Sequence, residues 1–176
     1  MPKIDETIAF IPAHIAVLTV SDSRTKQDDK SGQTLIRALE EAGHKTIAYE
    51  IIKDDIPKIT NQLETWVKDE TIQIILTTGG TGITGRDVTP EAVRAVIDIE
   101  IPGFGELFRM LSYQTIGTST LQSRALAGRA GSTLIFALPG SPNACKDAWK
   151  FILQEQLDNR FRPCNFMELM PRFSEK

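Results

Sequence analysis

Residues 77–92 read TTGGTGITGRDVTPEA, with Gly79, Gly80 and Gly82 inside four positions, an acid at Asp87 and a helix start at Thr89-Pro90. A stretch this poor in side chains leaves backbone N–H groups free to crowd around an anion, and Thr78 and Thr81 add hydroxyl donors. The chemistry that suits such a loop is contact with a phosphorylated ligand; the plainer reading is a tight turn that needs glycine for geometry alone. Two acids sit in reach of the same region. Asp54 and Asp87 each lie just before a predicted helix, so either can be a simple capping acid. Taken as a pair over one crevice, they are what a Mg²⁺ ion bridging phosphate oxygens requires, because magnesium takes one or two protein carboxylates with substrate phosphates.

Gly80-Thr81-Gly82-Ile83-Thr84-Gly85 satisfies G-x-G-x-x-G. A dinucleotide fingerprint opens its helix at once after a first strand and meets an acid on the end of the next strand. Here the match follows the third predicted strand, the helix waits until Thr89, and Asp98 and Glu100 fall within or at the end of that helix. Dinucleotide binding is therefore rejected. No G-x-x-x-x-G-K-[ST] is present, which removes P-loop chemistry.

The elements that position this loop alternate. The continuous apolar run HIAVLTVS (14–21) has the character of a strand buried on both faces of a parallel sheet. Ser31 is the expected cap of a helix over 31–43, and KTIAYEII (45–52) is a second strand. A helix opening near Pro57 carries Ile56, Ile59, Leu63 and Trp66 on one stripe. TIQIILTT is the third strand; Thr89 as cap and Pro90 start the next helix, with Val93, Val96 and Ile97 inward. Residues 101–131 read as mostly helical with turns. TLIFAL is a fourth core strand, and Ser141-Pro142 start a final helix with Cys145, Trp149 or Ala148, Ile152 and Gln156 inward. This order predicts an α/β protein, a three-layer α/β/α sandwich on a mostly parallel sheet. The expected organisation is an N-terminal extension (1–13), one domain over 14–157, and a C-terminal tail (158–176) that is a surface extension or an assembly contact.

In open α/β sheets ligands bind beyond the carboxyl ends of the strands. Those ends are Ser21-Asp22-Ser23, Asp54-Asp55, Thr78 to Gly82, and Pro139 to Asn143, which are also the chemically unusual segments of the chain. Ser123-Arg124 can set a hydroxyl and a guanidinium on an anionic ligand, or decorate a helix surface. His14, His44 and both cysteines read as structural or superficial. Lys26 to Lys30 reads as a solvated loop that could act as a lid.

The bulk numbers narrow the classes. At 176 residues, 41% hydrophobic and 24% charged, the chain has room for a core. A net charge of -3 with scattered Lys and Arg provides no footprint for nucleic acid or an anionic membrane. No apolar stretch approaches the ~20 residues that span a bilayer. Two distant cysteines and an acidic start without signal character fit a reduced, cytoplasmic setting.

The segments VLTVSDSR, ILTTGGTGITGRDVTPEA, IPGFGELFRMLS, TSTLQSRALAG and LIFALPGSPNA resemble, in order and spacing, the MoaB/MogA family of molybdenum cofactor biosynthesis proteins, to which the gephyrin G domain is also similar. The likeness runs from about Ile15 to Leu157, and FRPCNF near the end looks like the MoaB branch. The resemblance implies a molybdopterin-binding domain that assembles as a trimer or hexamer and works alongside other proteins of that pathway. It implies transfer of an adenylyl group from Mg-ATP to the terminal phosphate of molybdopterin; a non-catalytic molybdopterin-binding protein is the alternative. By the same resemblance Asp54 and Asp87 are the catalytic, magnesium-holding acids, and Thr78, Gly79, Gly80, Thr81 and Gly82 hold the pterin and its phosphate. Ser123, Arg124, Pro139, Gly140 and Ser141 would complete the ligand wall, and Glu106 falls in a family motif without an assigned role.

Overall fold

A computed structural model describes residues 3–175. Six strands form one sheet: β2 (His14–Val20), β3 (Lys45–Ile52), β4 (Ile74–Thr78), β5 (Ile99–Glu100), β6 (Leu126–Ala130) and β7 (Thr133–Leu138), in the order β3-β2-β4-β7-β6-β5. The four strands read from sequence are mutually parallel. The last two are not: β6 runs antiparallel to β7 and β5 antiparallel to β6.

The period of two along each strand divides the core. Ile15, Val17, Leu76 and Phe136 point to a layer made by α1 (Lys30–Glu41), α4 (Pro102–Ile116) and α5 (Pro142–Ala148). Ala16, Leu18, Ile75 and Ile135 point to the opposite layer, made by α2 (Ile56–Val67) and α3 (Thr89–Val96). This is the expected three-layer sandwich. Because α1 and α3 pack on opposite faces, the loops leaving β2 and β4 part and leave a crevice at the carboxyl edge; the loops leaving β4 and β7 part likewise.

Several local expectations differ from the structure. α1 begins at Lys30 and is capped by Asp29, not Ser31: the Asp29 carboxylate accepts from Gly32 N at 3.0 Å. Asp29 is buried and also accepts from the Thr19 and Tyr49 hydroxyls at 2.5 and 2.7 Å, so the 26–30 run is pinned at Asp29 rather than lid-like. These donors, with Arg24, hold its carboxyl below the ordinary range although burial alone would raise it. Thr89 does not cap α3; its hydroxyl donates to Gly79 O at 2.8 Å. After Ala148 the final helix passes through a π-turn (Trp149–Leu153) before α6 (Gln154–Gln156). The extra residue in that turn rotates Leu153 and Leu157 inward and leaves Gln156 half-exposed.

The tail is not a surface extension. Its strand β8 (Phe161–Arg162) pairs antiparallel with β1 (Lys3–Ile4), and Phe161 is buried there. Met167, on the short helix α7 (Phe166–Leu169), is buried in the same core cluster as Ile15 and Phe136, with Phe166 packed against Phe136. Among the described residues, no helix is long and apolar enough to cross a membrane.

Candidate functional site

β4 delivers the glycine loop to the middle of the carboxyl edge. Gly79 and Gly80 have φ of 103° and 63°, the left-handed region that side chains avoid. The requirement is also steric: a Cβ on Gly79 would lie 2.1 Å from Val20 O. Gly140 of the β7 loop packs so closely that its own Cβ would lie 3.1 Å from Gly79 Cα. Thr78, at the strand end, is buried and donates its hydroxyl to Pro139 O at 2.9 Å, tying the two loops.

The two acids meet this loop at different points. A Cβ on Gly80 would stand 2.6 Å from Asp54 Oδ1, and one on Gly82 would stand 2.8 Å from Asp87 Oδ2. Both carboxylates therefore lie against the same short piece of backbone. Asp54 does not cap α2, since Asp55 does so by accepting from Lys58 N at 3.0 Å. Asp54 is thereby left over, half-buried, and its carboxyl is raised above the ordinary value by burial and then by the charges of Asp22 and Asp87. Asp87 does not cap α3 either. It accepts from Thr84 N at 2.9 Å and Thr84 Oγ1 at 2.6 Å, and the Thr84 hydroxyl is the main reason its carboxyl is lowered and ionised.

Arg86 pairs with a third acid, Asp22. Its Nε donates to Asp22 Oδ2 at 3.1 Å, with a second bond from its terminal nitrogen, so the pair bridges the crevice between the β2 and β4 loops.

On the other side of the glycine loop opens a cleft of about 740 Å³. Of the residues predicted from sequence, Gly80, Thr81, Gly82, Asp87, Ser123, Pro139, Gly140 and Ser141 line it. Thr78, Gly79, Asp54 and Arg124 do not. Thr78 and Gly79 are packed beneath the surface, and Asp54 lies across the loop. Arg124, expected in the ligand wall, instead braces the loop: Nε donates to Gly82 O at 2.7 Å and a terminal nitrogen to Asp87 O at 2.6 Å, while Glu91 takes the remaining charge. Glu106 belongs to a separate depression with Arg94 and Arg109.

The far wall was not found in the sequence. It comes from the end of α4 and the 3₁₀ turn Gly117–Gln122, which present Ser112, Thr115, Ser119 and Thr120 beside Phe108 and Ile116. Ser112 and Thr115, three apart on α4, share one helical face, while Ser119 and Thr120 lie beyond the break at Gly117. Asn143, Lys146 and Asp147 on α5 complete it, with Lys146 the cleft's cation.

With this geometry in view, residues 16–159 match the domain described as "Probable molybdopterin binding domain". The chain belongs to the MoaB/MogA family of molybdenum cofactor biosynthesis proteins. It is 52% identical over 157 residues to molybdenum cofactor biosynthesis protein B of Escherichia coli K12, covering 89% of this chain and 92% of the relative. To the Bacillus cereus protein of the same name it is 51% identical over 141 residues, 79% of this chain and 83% of the relative. A crystal structure of a molybdenum cofactor biosynthesis protein B superposes with a TM-score of 0.86 at 41% identity, covering 96% of this chain and all of the other. The tungsten cofactor synthesizing protein MoaB from Pyrococcus furiosus gives 0.73 at 37% identity, covering 82% and 92%.

Proposed function

We propose that the chain binds molybdopterin in the 740 Å³ cleft and transfers an adenylyl group from Mg-ATP to its terminal phosphate. One observation carries this reading: the Asp54 and Asp87 carboxylates abut Gly80 and Gly82 of a single glycine-rich loop that borders the cleft. The cleft has the size of a site for one small organic molecule. Its row of hydroxyls suits the polar edges of a pterin, and the glycine loop suits the phosphate.

The residues also fit magnesium. Among the described residues no group of three or more His, Cys, Asp or Glu could hold a metal alone. Two carboxylates with phosphate oxygens and water are, however, an ordinary magnesium donor set, and the Asp54 carboxyl, raised by burial and then by the charges of Asp22 and Asp87, would gain from a cation beside it. Asp54 and Asp87 would hold the ion, which when bound neutralises charge on the phosphate oxygens. Asp87, kept ionised by Thr84, sits against Gly82, where the loop can fix the pterin phosphate in line with the nucleotide. A pterin phosphate oxygen forms the new bond to the α-phosphorus; the α–β anhydride bond breaks, and pyrophosphate leaves with that electron pair. The attacking phosphate is already anionic, so no residue need act as a strong base. Alignment and charge stabilisation remain as the protein's contribution.

Purified protein incubated with molybdopterin and Mg-ATP should form adenylylated pterin and pyrophosphate. Asp87→Asn should lower kcat far more than pterin affinity, and wild-type turnover in that variant would remove the acid from the mechanism. One observation favours a second reading: the bonds from Thr84 to Asp87 also make a loop latch, as a non-catalytic molybdopterin binder would need. That reading requires pterin affinity with no ATP consumed.

A further inference from the structure

Four arginines or lysines stand close to the glycine loop, and their partners divide them. Arg24 donates to Ser31 Oγ at 2.9 Å and Gly140 O at 3.1 Å, with Asp29 beside it. Arg124 is fixed on Gly82 O, Asp87 O and Glu91. Both guanidiniums hold the backbone of the site in place and cannot leave without releasing it. Lys146 faces the cleft. Arg86 is different. It is 69% exposed, it touches no backbone carbonyl, and its sole hydrogen-bond partner among the described residues is the Asp22 carboxylate, itself 42% exposed.

A surface ion pair of that kind contributes only about 0–1 kcal/mol, so it is easily exchanged for a better partner. A phosphate chain is a better partner, because its oxygens accept both arms of a guanidinium at once. The position suits it. Asp22 lies two residues past β2 and Asp54 two residues past β3; Arg86, from the β4 loop, bonds Asp22 and brings its charge to bear on Asp54, and none of the three lines the cleft. A chain of phosphates arriving at the acid rim would otherwise meet Asp22, Asp54 and Asp87; among the described residues Arg86 is the guanidinium on that rim, and exposed Lys53, whose charge also acts on Asp22, is a second cation beside it.

We infer that Arg86 is a nucleotide-binding residue that exchanges Asp22 for the phosphate chain of the ATP, which lies along the acid rim while the pterin occupies the cleft. Asp22 is then a resting partner that competes with the nucleotide. This rests on the adenylyl-transfer reading for its ligand, and the test separates the two.

Arg86→Ala, Arg86→Lys and Asp22→Asn would be compared with wild type, measuring affinity for a non-hydrolysable Mg-ATP analogue and for molybdopterin separately, and KM and kcat where turnover occurs. Arg86→Ala should weaken nucleotide affinity about tenfold, the size of one charge-assisted interaction lost, with pterin affinity unchanged. Arg86→Lys should recover part of it. Asp22→Asn should bind nucleotide as well as wild type or more tightly. A merely structural Asp22–Arg86 latch predicts equal losses in Arg86→Ala and Asp22→Asn, and that result overturns the inference. So does wild-type nucleotide affinity in Arg86→Ala, or no nucleotide affinity in the wild type. If wild type binds nucleotide through Arg86 but makes no adenylylated pterin, the inference stands and the transferase reading falls.

Discussion

Gly79→Ala should cost the protein a large part of its stability, and the cost can be worked from the backbone. Gly79 has φ of 103°, where an L-residue with a Cβ is strained by about 1–2 kcal/mol. The added methyl would sit 2.1 Å from Val20 O. That oxygen is backbone at the end of β2, so no rotamer change can move it; β2 and β4 would have to part at their carboxyl ends. Overpacking of this kind adds about 1–3 kcal/mol. The sum, about 2–5 kcal/mol, corresponds for a chain of this size to a fall in Tm on the order of 10 °C. The internal control is Gly85→Ala, where the new Cβ has no neighbour within 4 Å; its stability should stay within about 0.5 kcal/mol of wild type. Thermal unfolding of both variants at one pH and concentration reads the difference. If Gly79→Ala melts with Gly85→Ala, the argument that β4 needs glycine there for backbone reasons fails, and with it the account of how the loop is held.

Gly82→Ala should behave oppositely: the nearest atoms to its Cβ belong to the Asp87 side chain, at 2.8 Å, so Tm should fall by a few degrees while, on the transferase reading, adenylyl transfer drops by about a hundredfold as the acid is displaced. Asp29→Asn removes a buried charge that Thr19, Tyr49, Gly32 and Arg24 all address, and should lower stability by about 2–4 kcal/mol in denaturant titration. His44 accepts from Ala13 N at 3.1 Å and is packed between Phe10 and Trp149, so burial depresses its pKa below 6.5. A depressed folded value means that the unfolded chain binds the proton first. Stability from this group is therefore present above pH 6.5 and is lost as the pH falls through the lower folded value. His44→Asn, which keeps an acceptor, should show a shallower loss of Tm between neutral and mildly acid pH than wild type. Cys145, buried beside Thr78 with its thiol pushed up to about 12, should resist alkylation in the folded protein while exposed Cys164 reacts, as mass spectrometry would record.

What was legible in the sequence is what local pattern encodes. β2, β4 and β7 are runs of apolar residues and threonine, almost wholly buried because they are covered on both faces, and each of their loops carries a proline, glycine or acid that punctuates the chain. The antiparallel β6 was hidden because LAGRA has no branched residue except at its first position. Its smallness has a tertiary cause: a Cβ on Gly128 would lie 2.6 Å from Ile97 Cδ1 and 2.9 Å from Ile99 O, so the strand is small where α3 and β5 close over it. The cap of α1 was misplaced because Asp28, Asp29 and Ser31 are all competent capping residues. Asp29 prevails through Thr19 and Tyr49, which come from two different strands. The tail was misread because its anchors, Phe161 and Met167, follow no single period. At the site, the glycine loop and its two acids were legible because they are short-range signals at strand ends. The hydroxyl wall and the Asp22–Arg86 pair were not, since only the folded sheet brings residues 64 positions apart into contact.

The placement of the acids relative to the cleft bears on how two ligands could share one loop. Asp87 lines the cleft and touches Gly82, while Asp54 lies outside the cleft and touches Gly80. Only one residue, Thr81, separates those contacts, and the two steps of chain from Gly80 to Gly82 are at most about 7 Å long. A side chain on either glycine would occupy the place where an acid now meets the loop. The missing Cβ atoms let both carboxylates sit against one short piece of backbone, Asp87 on the cleft side and Asp54 outside it. On the transferase reading, this allows a pterin phosphate to approach from the cleft and a nucleotide from the rim. The bracing arginine explains why the arrangement does not collapse: Arg124 holds Gly82 O and Asp87 O together from the α3 side, and its own backbone N–H donates to Thr81 O at 2.9 Å. Arg124→Ala should therefore impair transfer through loop position alone, raising KM for both ligands together, in contrast to Arg86→Ala, which should affect only the nucleotide.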